Sequence, residues 1–303
     1  MSFRVEKLMK FSGSGKLTGD SFIGDIPDEE VRNLFLELLY SGINGLCFSL
    51  YDEGQKPGDP ISEEQVRRKM DLLKSYTRWI RSFSCTEGNE LIPKIAKEYG
   101  LKTLVGAWLG NDKEKNDLEI EGLIALARDG YVDIAAVGNE VLYRGDLIED
   151  ELLGYIDRVR SAIPGITVGY VDAYYEFVQR PRLADACDVI LCNCYPFWEG
   201  SHFNDSLQHM KHMYREAVRS GKGKKVIITE TGWPSEGGSL GNAIPSAQNA
   251  MKYFINTQLW AADENVETFY FSSFDESWKV STEGDVGAFW GIWDKSGKLK
   301  YVS

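Results

Sequence analysis

Histidine is scarce in this chain, with 3 in 303 residues, and basic residues are outnumbered, 34 lysines and arginines against 46 acids. The formal net charge of −12 repels nucleic acid and anionic membranes over most of the surface, so neither is an expected partner. No run approaches the roughly 20 apolar residues of a membrane span. Met1–Lys16 is polar and lacks the apolar centre of a secretory leader. Localisation stays open between the cytoplasm and export with a leader already removed; Asn204-Asp205-Ser206 is a lone glycosylation sequon. Cysteine is sparse too. Cys47, Cys85, Cys187, Cys192 and Cys194 are odd in number and irregular in spacing, which suits buried free thiols and no disulfide framework. Cys192 and Cys194 share a strand face, with His202, His209 and His212 downstream, but no second closely spaced cysteine pair completes a zinc site. No metal is expected.

What the chain does have is aromatic residues: 8 tryptophans, 15 tyrosines and 14 phenylalanines. Most belong in a core. Those beside a strand mouth suit stacking against the C–H face of a sugar ring. Two glutamates occupy such mouths. Ile134-Ala135-Ala136-Val137-Gly138-Asn139-Glu140 and Val226-Ile227-Ile228-Thr229-Glu230 are apolar runs that end abruptly in an acid. Burial at such a place shifts a carboxyl pKa, and two acids among aromatic rings match the needs of glycosidic bond cleavage.

The periodicity predicts eight short apolar strands, at about 45–51, 78–84, 103–108, 132–137, 166–171, 188–195, 225–229 and 266–274. Helices are expected at about 28–40, after a cap at Ser62, and at 117–129, 150–162, 205–220 and 246–263. Near-continuous apolar strands alternating with helices indicate a covered parallel sheet. Eight units indicate an α/β protein built as a single-domain (β/α)8 TIM barrel. Residues 1–303 form one catalytic domain on this reading, with residues 1–44 a pre-barrel segment. A doubly wound open sheet is the alternative, but no glycine-rich phosphate loop follows the first strand. In a barrel the two glutamates end strands four and seven and converge over one mouth.

Val137-Gly138-Asn139-Glu140, Thr229-Glu230-Thr231-Gly232-Trp233-Pro234-Ser235 and the segment from Phe269 to Lys279 resemble, in order, three signature segments of glycoside hydrolase family 17. The resemblance runs from about Gly45 to Tyr301. It implies a retaining β-1,3-glucan-active glycosidase, with Glu140 as general acid/base, Glu230 as nucleophile and no cofactor. Retention requires the two carboxyl groups about 5–5.5 Å apart. By likeness to the wider clan of barrel glycosidases, Arg81 is expected to stabilise Glu230, Tyr195 to donate to it, and Asn139 to hold the sugar 2-OH. Tyr51, Tyr143, Phe197, Trp198, Trp233 and Trp278 are candidates for sugar stacking. Glu276, Lys279, Glu199 and Asp172 are candidates for polar contacts, an ordinary surface ion pair being the plainer reading of Glu276 and Lys279. The segment 193–200, Asn-Cys-Tyr-Pro-Phe-Trp-Glu-Gly, looks like bacterial and fungal members, some of which transfer glucanosyl units to an acceptor sugar. A β-1,3-glucanosyltransferase with endo-β-1,3-glucanase activity is therefore expected, acting as a monomer on β-1,3-linked oligo- or polysaccharide. The alternatives are a purely hydrolytic endo-β-1,3-glucanase, a barrel glycosidase for another linkage, and a non-catalytic glucan-binding barrel.

Overall fold

Eight parallel strands hydrogen-bond in sequence order, and the eighth closes on the first. The computed structural model describes Ile23 and residues 26–302. The leader expectation for Met1–Lys16, and most of the pre-barrel segment, lie outside the described residues. The strands are β1 (Ile43–Cys47), β2 (Thr77–Ser82), β3 (Lys102–Ala107), β4 (Ile134–Asn139), β5 (Thr167–Ala173), β6 (Val189–Asn193), β7 (Val226–Thr231) and β8 (Glu267–Tyr270). Helix α1 (Asp28–Tyr40) precedes the barrel. The connections carry α2 (Glu63–Leu73), α3 (Leu91–Glu98), α4 (Lys113–Arg128), α5 (Val141–Arg144), α6 (Glu149–Ala162), α7 (Tyr174–Gln179), α8 (Pro181–Ala186), α9 (Ser206–Ser220) and α10 (Ala247–Asp263). A last short helix, α11 (Val280–Glu283), follows β8. This is the expected (β/α)8 barrel.

Local chemistry accounts for several boundaries. Ser62 accepts a hydrogen bond from the Gln65 amide at 3.1 Å and starts α2. Asp112 does the same for α4 through the amides of Glu114 and Lys115, and Ser246 for α10 through Asn249. Strands β4, β6 and β7 are buried at every residue, because one face fills the barrel and the other lies beneath helices.

The structure corrects some expected extents. Strand one begins at Ile43, so the limit drawn at residue 44 falls inside it. It also ends at Cys47, because farther on the backbone turns to side chains: Ser49 N–H donates to Ser273 Oγ (2.9 Å) and Tyr51 N–H to Glu276 Oε1 (3.1 Å). Strand eight stops at Tyr270 and not at 274, since the amides of Ser272 and Ser273 bond the carbonyls of Trp290 and Cys47. Strand six ends at Asn193, leaving Tyr195 in the loop beyond it. Helices α3, α7 and α8 are absent from the sequence reading. At six to eight residues they are too short for a 3.6-residue period to register.

Barrel closure between β1 and β8 depends on a missing side chain. Gly45 pairs with Phe269, and a Cβ at position 45 would lie 2.4 Å from the Phe269 ring. Gly45→Ala is therefore expected to lower stability by about 1–3 kcal/mol, measured as a shift of the urea unfolding midpoint at unchanged slope.

Candidate active site

Glu230 lies inside β7, level with Asn193 of β6. Its carboxylate is buried and held at both oxygens. Arg81 Nη1 donates to Oε1 at 2.7 Å, and the Tyr195 hydroxyl donates to Oε2 at 2.8 Å. Arg81, fully enclosed on β2, also donates from Nη2 to Asn139 Oδ1 at 2.6 Å, and its guanidinium stacks on Phe83 at 4.1 Å. One cation thus joins β2, β4 and β7 through the barrel. The Cys47 thiol lies 3.7 Å from Arg81 Nη1, and burial pushes its pKa up to about 12, so it stays protonated.

Glu140 follows β4 directly, in a left-handed backbone conformation at φ 52°. A non-glycine residue there costs roughly 1–2 kcal/mol, and such outliers persist where the surroundings over-determine them. Here the Glu140 amide donates to Val171 O (2.8 Å), and its carbonyl accepts from the Arg144 amide (2.9 Å). Gly138, two residues earlier, has φ 92°, with Val141 and Tyr170 packed against it. The Glu140 side chain accepts from Asn193 Nδ2 at 2.8 Å, and Asn193 Oδ1 in turn accepts from Thr229 Oγ1 at 2.9 Å. Burial pushes the Glu140 pKa up to about 7, and the negative charge of Glu230 adds to the effect, against the Asn193 hydrogen bond. The two acids therefore sense each other across one mouth. One is set to keep its proton near neutrality, and the other accepts from a guanidinium and a phenol.

The remaining candidates divide. Trp198 is 39% exposed and Tyr143 60%, both at the rim. Tyr51 and Trp278 are half-buried and meet edge to face at 5.6 Å. The Trp278 indole N–H is buried without a hydrogen-bond partner among the described residues. Glu199 is exposed and oriented from behind: His209 Nε2 lies 2.7 Å from it, Ser201 Oγ bonds His209 Nδ1, and the Tyr174 hydroxyl bonds Glu199 as well. Glu276 and Lys279 form no surface pair. They are buried at 2.8 Å from each other, with Lys279 Nζ over the Phe271 ring. Asp172 is wholly buried, accepting from the Tyr170 hydroxyl and the amides of Tyr143 and Ala173. It buttresses the start of α5, and burial raises its pKa to about 6.

Trp233 is a correction. It is 1% exposed, packed against Phe197, Phe203 and Tyr253, with its indole N–H donating to Ile244 O, so no sugar reaches its face. Phe197 is equally buried and supports Trp198 at 5.4 Å. The sulfurs of Cys192 and Cys194 lie 3.9 Å apart, away from any convergent ligands; among the described residues no three metal-ligating side chains meet.

Three participants escaped the sequence reading. Asn193 carried the same signal as the glutamates, a polar residue closing an apolar strand. Trp290 is buried and contacts Tyr195, Phe197, Trp198 and Phe271 within 5.4–5.8 Å. Glu283, in α11, has its pKa pushed up to about 7 by burial, with Lys279 opposing and the charges of Glu230 and Glu276 adding. Nothing in the local pattern around Trp290 or Glu283 marks a mouth residue.

A family model for the BtgE/BtgC glycoside hydrolase domain matches residues 45–291. A glucan 1,3-beta-glucosidase of Saccharomyces cerevisiae is 28% identical, aligned over 86% of this chain and 91% of its own. One from Arthroderma benhamiae is 30% identical, over 84% and 89%. Among solved structures, the glycoside hydrolase family 17 β-1,3-glucanosyltransferase of Rhizomucor miehei superposes with a TM-score of 0.76 at 28% identity, covering 86% of this chain and 96% of that one. An active-site mutant of the same enzyme is in complex with laminaritriose.

The raised Glu140 pKa has a cost in stability with a definite sign. The folded state holds this proton to about pH 7, whereas the unfolded chain releases it near 4.5, so stability falls as pH rises between those values. Glu140→Gln removes the cost and retains an acceptor for Asn193. Its stability advantage is expected to be small below pH 4.5, to grow through pH 7, and to level off at about 3 kcal/mol. Urea titrations of both proteins from pH 4 to 8.5 measure it, and a pH-independent difference contradicts the assignment.

Proposed function

The chain belongs to the BtgE/BtgC glycoside hydrolase domain family, and on that premise we propose that it cleaves β-1,3-glucan with retention through a covalent intermediate and passes the glycosyl unit to sugar acceptors as well as to water. The observation that carries this reading is the contrast between the two acids. Glu230 accepts from a cation and a phenol, while Glu140 holds its proton to about pH 7.

In the first step a Glu230 oxygen attacks the anomeric carbon as the glycosidic C–O bond breaks. The Glu140 proton passes to the departing oxygen. Glu140, now a carboxylate, then takes a proton from the incoming hydroxyl, whose oxygen displaces Glu230 from the anomeric carbon. Arg81 binds both Glu230 and Asn139. With its oxygen committed to Arg81, the Asn139 amide presents its NH2 group as donor, which suits the sugar 2-hydroxyl. The unpartnered Trp278 N–H suits another sugar oxygen, since a buried donor without a partner costs about 1–3 kcal/mol.

Acceptance by a sugar is favoured by the rim on the β6 side. Trp198 offers an exposed indole backed by Trp290 and Phe197, and Glu199 is presented beside it by His209. A sugar stacked there competes with water by proximity to the intermediate. The resemblance of segment 193–200 to transferring members supports the same conclusion, as does the β-1,3-glucanosyltransferase among the similar proteins; the glucan 1,3-beta-glucosidases support the β-1,3-glucan substrate.

Glu230→Ala is expected to abolish turnover. Glu140→Ala is expected to slow laminari-oligosaccharides by about 10²–10⁴ while sparing aryl glycosides whose leaving groups need little protonation. Comparing kcat on the two substrate types checks this, and equal losses remove the acid role. At high concentrations of a laminari-oligosaccharide, chromatography should reveal products longer than the starting sugar. Trp198→Ala should lower their ratio to hydrolysis products. If the parent protein yields no longer products, the enzyme is a hydrolase alone.

A further inference from the structure

Trp108 lies outside every role described above. It stands one residue past β3, whose last residue, Ala107, is level with Val137 of β4, three residues before Glu140. The side chain is 44% exposed, a costly placement for the largest apolar ring system, and it is not loose. Its backbone N–H donates to Glu119 Oε2 at 2.9 Å, and that buried carboxylate also accepts from the Cys85 amide at 2.8 Å. The guanidinium of Arg144 lies over the indole at 4.6 Å. Arg144 is itself fixed by Asp146 (2.6 Å), by Leu109 O (2.9 Å) and by Asn139 O. Among the described residues no aromatic ring packs on Trp108.

An exposed ring immobilised from both backbone and one face is pre-organised to receive something on the surface it leaves open, with little conformational entropy left to lose on binding. Its place on the barrel says which part of a ligand that is. In the circular strand order, the line from β4 to β7 separates β5 and β6 from β8, β1, β2 and β3. Trp198 follows β6, on the first side. Trp108 follows β3, on the second, with Tyr51 after β1 and Trp278 after β8.

We propose that Trp108 is a stacking platform for a glycosyl unit of a long β-linked glucan, on the half of the mouth opposite Trp198 and remote from the cleaved bond. The platform rests on the proposed function. It extends binding of the chain whose end becomes attached to Glu230, and Arg144 acts as its positioning residue by holding the indole at a fixed angle.

The test is a chain-length series. For the parent protein, Trp108→Ala and Trp108→Phe, kcat/KM is measured on laminari-oligosaccharides from three to seven units, with thermal unfolding curves as a check on folding. Trp108→Ala should lose about tenfold on the longest substrates relative to the shortest, through KM more than kcat, and shift the cleavage position. Trp108→Phe should recover much of the loss. A loss equal at all lengths, or no loss, overturns the platform while leaving the proposed function intact. If the parent protein neither binds nor cleaves these sugars, the proposed function falls and the platform with it.

Discussion

The guanidinium of Arg81 is the constraint on which the candidate site depends. Burying an isolated cation this deeply costs several kcal/mol, and the barrel offsets that by surrounding it with Glu230, the Asn139 oxygen, the Cys47 sulfur and the face of Phe83. Such a cluster is not how a barrel interior is most easily stabilised, since well-packed apolar side chains do as well or better. Its consequence is geometric. A planar fork with fixed donor directions ties the strands that carry the two acids to one centre, so neither Glu230 nor the Asn139–Glu140 turn shifts without losing a charge-assisted hydrogen bond.

The same centre makes the two acids unequal. Glu230 receives a cation and a phenol; Glu140, across the mouth, receives a neutral amide, and burial with the charges of Glu230 and Asp172 raises its pKa against that bond and the charge of Arg144. Two chemically identical side chains thereby meet unlike surroundings, the kind of contrast expected of an acid and a nucleophile sharing one substrate. The left-handed turn at Glu140 belongs to this arrangement. It takes the side chain off the strand direction, and Arg144, Tyr170 and Asp172 hold the backbone there through hydrogen bonds to Asn139 O, the Leu142 amide and the Tyr143 amide.

What the sequence revealed and what it hid follow from the range over which each interaction acts. Strand number, helix order and the position of both glutamates come from local patterns, apolar runs a few residues long that close on a polar residue, and these were legible. Arg81, Asn139 and Tyr195 were placed through family resemblance, because nothing local announces that an arginine in Trp79-Ile80-Arg81-Ser82 meets a carboxylate 149 positions away. Trp233 was misjudged for the converse reason. A tryptophan two residues past a strand end reads as a rim residue, yet the chain folds it under Phe197, Phe203 and Tyr253. Glu283 and Trp290 enter through segments after β8 whose course depends on tertiary contacts alone. The ends of β1 and β8 were overestimated because the regular ladder stops at Cys47 and Tyr270: beyond them the amides of Ser49 and Tyr51 turn to side chains, and those of Ser272 and Ser273 to the carbonyls of Trp290 and Cys47.

The distribution of aromatics around the mouth then bears on how a glycosyl intermediate would be used. Trp198 rests on Trp290, which also touches Tyr195, the donor to Glu230. Packing therefore runs without a break from the rim after β6 to the oxygen that would carry the intermediate. Trp108 is joined to the acid by another route, through Arg144 and the Asn139 carbonyl. Dense interiors transmit displacement and compress little, so a sugar seated at either rim acts on a preset acid pair and not on a deformable one. On the proposed function, selection between water and a sugar acceptor would then depend on occupancy of the rim, a matter of binding surface and concentration.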